Sequence, residues 1–132
     1  MKLTKEQEAW LQALESGAYK QGRIRLHPEE DTYCCLGVAC TISNIGVWGA
    51  VPYILTNFAY VIKGENDQTA KLPGALVERL HLRDDGGGFE QRMVIKGRHF
   101  GALYEMNDSG KFTFKEIAAW IRENPEVVFT NV

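Results

Sequence analysis

The sequence has no apolar run approaching the roughly 18 residues that a membrane-spanning helix requires, and no internal repeat or low-complexity stretch. It also lacks a charge excess: fifteen basic residues face seventeen acidic ones, for a net charge of −2. Proteins that grip nucleic-acid phosphates carry a clear basic surplus, so the balance argues against a nucleic-acid partner. Cysteine is scarce and odd in number, three residues with two adjacent, which cannot build a disulfide framework. Residues 1–7 lead straight into a charged amphipathic segment, without the apolar centre of a secretory leader. Together these features read as reduced thiols in a cytoplasmic protein with no membrane partner.

Metal-ligand spacing is missing too. Cys34, Cys35 and Cys40 match no C-x2-C pattern, and His27, His81 and His99 are scattered, so no metal or other cofactor is expected. Gly86-Gly87-Gly88 is followed by no Lys-Ser/Thr pair and has no dinucleotide-fingerprint spacing, which leaves a mobile turn in place of a phosphate loop.

What is present fits one α+β domain spanning all 132 residues, at 45% hydrophobic and 24% charged. Thr4 and Gln7 form a capping box ahead of Trp10, Leu11 and Leu14, and Ser16-Gly17 ends that helix. Residues 19–26 alternate loosely and read as an extended segment or short strand. A second helix from Thr32 or Tyr33 to Ser43 is apolar almost all round and belongs in the core. Gly37 inside it costs about 1 kcal/mol against Ala, which implies that another backbone packs closely there. Aromatic and β-branched residues in 47–63 favour strands turning near Thr56-Asn57. Pro73 opens a short third helix to Leu80. Residues 89–96 and 100–106 read as a strand pair, or as a strand followed by a helical turn. Thr113 and Glu116 cap a last amphipathic helix that Asn124-Pro125 stops, and residues 127–129 add an edge strand. The expected fold is a buried central helix, two amphipathic terminal helices, a short third helix and a small antiparallel sheet. Trp10 and Trp120 belong to the core, with Trp48 partly exposed.

Three segments occur in a distinctive order: residues 14–22 (LESGAYKQG), residues 33–40 (YCCLGVAC), and Asn107-Asp108-Ser109-Gly110 ahead of Phe114-Lys115-Glu116-Ile117-Ala118. The combination resembles a widespread family of small, uncharacterised proteins encoded by bacteriophages and prophages, with relatives in actinobacteria. The likeness covers both ends and little of residues 47–99. It implies a phage accessory protein in the cytoplasm of a bacterial host, and it carries over no catalytic residue.

Four arrangements bear on chemistry. Cys34 and Cys35 at the first turn of the second helix, with His99 as base and Asp108 orienting it, follow the chain order of a papain-like cysteine hydrolase. As small core hydrophobes the same cysteines need no catalytic role. Residues 105–116 superficially fit a calcium loop, with Glu105, Asn107 and Ser109 in ligand positions and Glu116 closing it. A β-turn at 107–110 followed by a helix cap explains those residues as well. Lys20, Arg23 and Arg25, joined by Arg92, Lys96 and Arg98, can form one cationic surface, with Arg23 and Arg25 on one strand face and Tyr19 and Tyr33 available for stacking. Such a face suits a small phosphate-bearing or nucleotide-like ligand. The aromatic stretch from Trp48 to Tyr60 can also serve homo-oligomer assembly. The preferred expectation is a non-enzymatic binding protein that engages a host defence protein or sequesters a small anionic ligand.

Overall fold

A computed structural model describes residues 2–50 and 58–131. Among them lie six helices and three two-stranded sheets, an α+β arrangement. The first helix, α1 (Lys5–Glu15), begins where its capping box requires: Gln7 N donates to Thr4 Oγ1 at 3.1 Å and Thr4 N to Gln7 Oε1 at 2.9 Å. It buries Trp10, Leu11 and Leu14, and each such side chain contributes about 1.5–3 kcal/mol of transfer free energy. The buried Gln7 also donates from Nε2 to Leu80 O and Asn131 Oδ1, both at 3.0 Å, which ties the two chain ends together.

Helix α2 (Cys35–Ser43) is the buried centre, with residues 35–40 all inaccessible. It starts later than its apolar pattern implies. Cys34 is extended and serves as the N-cap, its Sγ accepting from Gly37 N at 3.3 Å. Thr32–Tyr33 forms β2, paired in parallel with β1 (Lys20–Gln21). Gly37 packs against the backbone of Leu26: a Cβ there would overlap Leu26 O and lie 2.7 Å from its carbonyl carbon. The close backbone approach expected at this glycine is therefore present. Trp10 Nε1 donates to Cys35 O at 2.9 Å and so fastens α1 to α2.

Beyond residue 21 the expected strand does not continue. Ile24 adopts φ +75°, and Arg25 N turns back to Arg23 O at 2.9 Å, so the alternation that would align Arg23 with Arg25 is broken. Strands β3 (Val47–Ala50) and β4 (Phe58–Val61) pair antiparallel, as their composition implies; the turn expected near 56–57 lies outside the described residues. Their aromatic side chains pack inward. Tyr60 is buried, and Trp48 is half-buried and donates to Thr41 Oγ1 at 3.0 Å. Buried His27 stacks between Tyr33 at 4.1 Å and Phe58 at 4.4 Å. The described part of the Trp48–Tyr60 stretch thus offers no open aromatic surface.

Pro73 caps α3 (Gly74–Arg79). The glycine turn after it is not a loose hairpin: residues 86–88 are buried, Asp84 Oδ1 accepts from Gly86 N and Gly88 N, and Gly87 O accepts from Leu103 N at 2.9 Å. Strands β5 (Gly88–Ile95) and β6 (Arg98–Ala102) follow as an antiparallel pair with a register shift. Of the two readings of residues 100–106, a strand followed by a helical turn is the one observed, since α4 (Leu103–Asp108) starts directly after β6. Asn107 and Asp108 therefore end a helix and do not form a β-turn. Gly110, with φ +74°, takes the left-handed position after it. Helix α5 (Phe114–Glu123) carries the expected capping box at Thr113 and Glu116. The tail forms a helical turn, α6 (Pro125–Val128), in place of an edge strand; only Phe129 bridges to Leu82. Arg122 clamps α5 to α1 through Glu8 and Glu15, with four hydrogen bonds of 2.8–3.0 Å.

Candidate functional site

The segments at 14–22, 33–40 and 107–118 meet at one side chain. Asn107 is fully buried at the end of α4. Its Oδ1 accepts from Cys35 N and Gln21 Nε2, both at 3.1 Å, while its Nδ2 donates to Gly22 O at 2.8 Å and Asp108 Oδ1 at 3.1 Å. Both lone pairs and both protons of the amide are thus used. Asp108 Oδ1 also accepts from Ile24 N at 2.8 Å and holds the bend at residues 23–25. This junction is structural, and its hydrogen bonds are spent within the chain.

The cysteine arrangement is built for packing. Cys34, Cys35 and Cys40 are free and buried. Burial pushes the Cys34 thiol up to about 12 and the Cys35 and Cys40 thiols well above their ordinary range, against the favourable first-turn position of Cys35. Cys35 Sγ faces Leu103 O at 3.9 Å, whereas His99 is exposed on β6 and makes no hydrogen bond with it. Desolvation wins over the helix dipole, so a thiolate nucleophile at Cys35 is not supported. Asp108 serves Ile24 and Asn107, and orients no histidine.

The calcium-loop residues are likewise committed elsewhere. Glu105 accepts from Gly101 N at 2.9 Å, Asn107 is the buried junction, and Glu116 caps α5. Among the described residues no three His, Cys, Asp or Glu side chains form a group able to hold a metal ion.

The basic residues divide. Lys20 pairs with Asp31 at 3.6 Å, both well exposed. Tyr19 packs edge-on against Tyr33, with ring centroids 5.6 Å apart, and Arg25 is half-buried. Arg92 lines a separate cleft among carboxylates. Arg23, Lys96 and Arg98 do come together, around a residue the pattern did not single out, Lys111. Arg23 lies over Gly110, 2.6 Å from where a Cβ would stand, and lines a depression of about 350 Å3 with Gln21, Lys111 and Phe112. Arg98 and Lys96 line an adjoining one of about 470 Å3 that shares Lys111 and Phe112. Lys96 Nζ sits 4.4 Å over the Phe112 ring and donates to Lys111 O and Glu116 Oε2, both at 2.7 Å. Four cations thus border the two depressions against one carboxylate, Glu116, whose pKa Lys96 lowers. Lys111 was legible in principle, since it follows the glycine that turns the chain back toward Arg23, but its partners are distant in sequence.

Residues 1–125 match the family model of a domain of unknown function, DUF8296. No curated protein matches the chain. No solved structure matches it either.

Proposed function

The chain belongs to the DUF8296 family, and we propose that it acts by binding, presenting Arg23, Lys96, Arg98 and Lys111 to an anionic group. One observation carries this reading: residues far apart in sequence bring four cations around the Lys111–Phe112 turn, with a single carboxylate between them. Charge in such a concave, part-apolar setting is screened less than on a convex face, and an Arg guanidinium offers paired donors to phosphate oxygens. The ligand is a small phosphate-bearing molecule of nucleotide type, or the same chemistry on an acidic host protein. The likeness to phage-borne accessory proteins supports the second source and a setting in the bacterial cytoplasm. A hydrolase at Cys35 has lost its basis with the burial of that thiol.

Thermal shift and calorimetric titration with inorganic phosphate, pyrophosphate and a nucleotide panel test the proposal. Stabilisation that Arg98→Ala and Lys111→Ala each abolish, and Lys20→Ala leaves intact, is the expected result. Raised salt should weaken it. If no anion binds but a host protein is captured, and the same two substitutions release it, the acidic-partner form holds. Binding indifferent to both substitutions sinks the proposal.

A further inference from the structure

Lys96 is one of the four cations of the proposed anionic site, yet its charge is committed inside the chain. It stands at the turn between β5 and β6 with φ +53°, followed by Gly97 at φ +75°, and its side chain reaches across to the start of α5. There Nζ donates to Lys111 O and Glu116 Oε2, both at 2.7 Å, and lies 4.4 Å over the Phe112 ring. Lys96 lines one of the two depressions and Glu116 the other, so their bridge stands on the border between them. Glu116 thus holds the place on Lys96 that an anionic ligand would take.

The carboxylate is not a loose surface group. Its Oε1 accepts from Thr113 N at 3.0 Å in the capping box of α5, which fixes where Oε2 stands. The cap itself needs no charge. In the matching box of α1 the same position is filled by Gln7, whose amide oxygen accepts from Thr4 N at 2.9 Å. Beyond its favourable place at a helix N-terminus, the negative charge at residue 116 serves one ion-pair partner, Lys96.

A ligand carboxylate would exchange one singly charged acid for another and gain little at Lys96. A phosphate monoester brings a charge of about −1.5 to −2 and three acceptor oxygens, enough to draw Lys96 away. Arg23, Arg98 and Lys111 border the same two depressions and share that charge. We infer that Glu116 is a built-in competitor for the anionic site: it occupies Lys96 in the free protein, a phosphate-type dianion displaces it, and a carboxylate does not. The inference rests on the anion-binding reading above and narrows its ligand to phosphate-bearing groups.

Phenyl phosphate and benzoate, one ring carrying either head group, test it by calorimetric titration of the intact chain at about pH 8, where the phosphate is doubly charged. Glu116→Gln keeps an oxygen for the cap and removes the charge. It should tighten phenyl phosphate about twofold to fivefold, the worth of an exposed ion pair. In a Lys96→Met background the same change should make no difference, because the charge acts through Lys96. The NMR signal of the Glu116 carboxylate should shift on saturation with phenyl phosphate and stay in place with benzoate. If phenyl phosphate binds wild type and Glu116→Gln equally, or the gain survives in Lys96→Met, the inference is overturned while anion binding stands. An equal shift with benzoate overturns it too. If neither wild type nor Glu116→Gln binds phenyl phosphate, the small-ligand form of the anion-binding reading falls, and the inference with it.

Discussion

Replacing Gly37 by alanine sets two effects of opposite sign against each other. Helix propensity favours alanine by about 1 kcal/mol, and on sequence grounds alone the change should stabilise α2. The backbone of Leu26 opposes it. A Cβ at residue 37 would overlap Leu26 O and come within 2.7 Å of its carbonyl carbon, both rigid main-chain atoms. That carbonyl accepts from Cys34 N at 3.0 Å, and Leu26 N donates to Thr69 O at 2.8 Å. Leu26 is fully buried, so moving it leaves inaccessible backbone groups without partners. Leaving one such group unsatisfied costs roughly 1–3 kcal/mol, and forcing an extra carbon into a packed interior costs a similar amount. The clash wins, and the net destabilisation should be roughly 2–4 kcal/mol. Urea titration followed by circular dichroism measures it as a lowered midpoint at unchanged slope. Gly74→Ala is the control, because the nearest atom to its added Cβ is the flexible Glu65 Oε1 at 3.5 Å; it should be near neutral. A Gly37→Ala protein as stable as wild type would refute the close approach of these two backbones.

Two further outcomes concern charge. Burial lowers the pKa of His27 from 6.5, with the Thr32 carbonyl opposing more weakly; the unfolded chain therefore binds the proton first, and stability should fall as pH drops below about 6.5. His27→Phe should lack that slope in urea titrations at successive pH values, and a slope retained in the variant would point to another group. Arg122, about one-third exposed, lowers the pKa values of Glu8 and Glu15; its clamp should be present above the carboxylate range and lost as pH falls through it. Arg122→Ala should cost about 1 kcal/mol at low salt, less at high salt, and a salt-independent loss in thermal melts would rule out an ionic origin.

The terminal helices were readable because their signals are local. Thr4 with Gln7, and Thr113 with Glu116, place a cap and its reciprocal partner within one turn, and no tertiary contact is needed to recognise them. The start of α2 was not readable in the same way. Apolar character runs unbroken from Tyr33 to Cys40, and only the pairing of Thr32–Tyr33 with Lys20–Gln21 pulls the first residues out of the helix. The extended segment or short strand expected in residues 19–26 stops at Gln21 for a related reason. Its ladder hydrogen bonds are replaced by the Asp108 carboxylate, 84 residues away, which takes Ile24 N and bends the chain. The glycine turn at 86–88 looked loose by composition, yet Asp84 and the start of α4 fix it. The residues of the proposed anionic site were half-legible: Arg23, Lys96 and Arg98 were picked out by charge, but Lys20 and Arg25 equally so, and only the fold separates them.

The side chain at which the chain's distinctive segments meet is therefore the one least able to do chemistry on a ligand. Asn107 uses all four of its hydrogen-bonding positions on Gln21, Gly22, Cys35 and Asp108, and being fully buried it has no face left for solvent. A residue in that position fixes how the bend at 23–25, the start of α2 and the end of α4 meet. The two surfaces flank this junction. Arg23 projects from the bend to the cationic depressions, while Ile24 and Asp108 line the acidic cleft. A single bend thus sends consecutive residues, Arg23 and Ile24, to the cationic depressions and to the acidic cleft respectively. Ile24 holds a positive φ that a β-branched residue rarely adopts, and the Asp108 carboxylate that accepts from its N–H fastens the bend there.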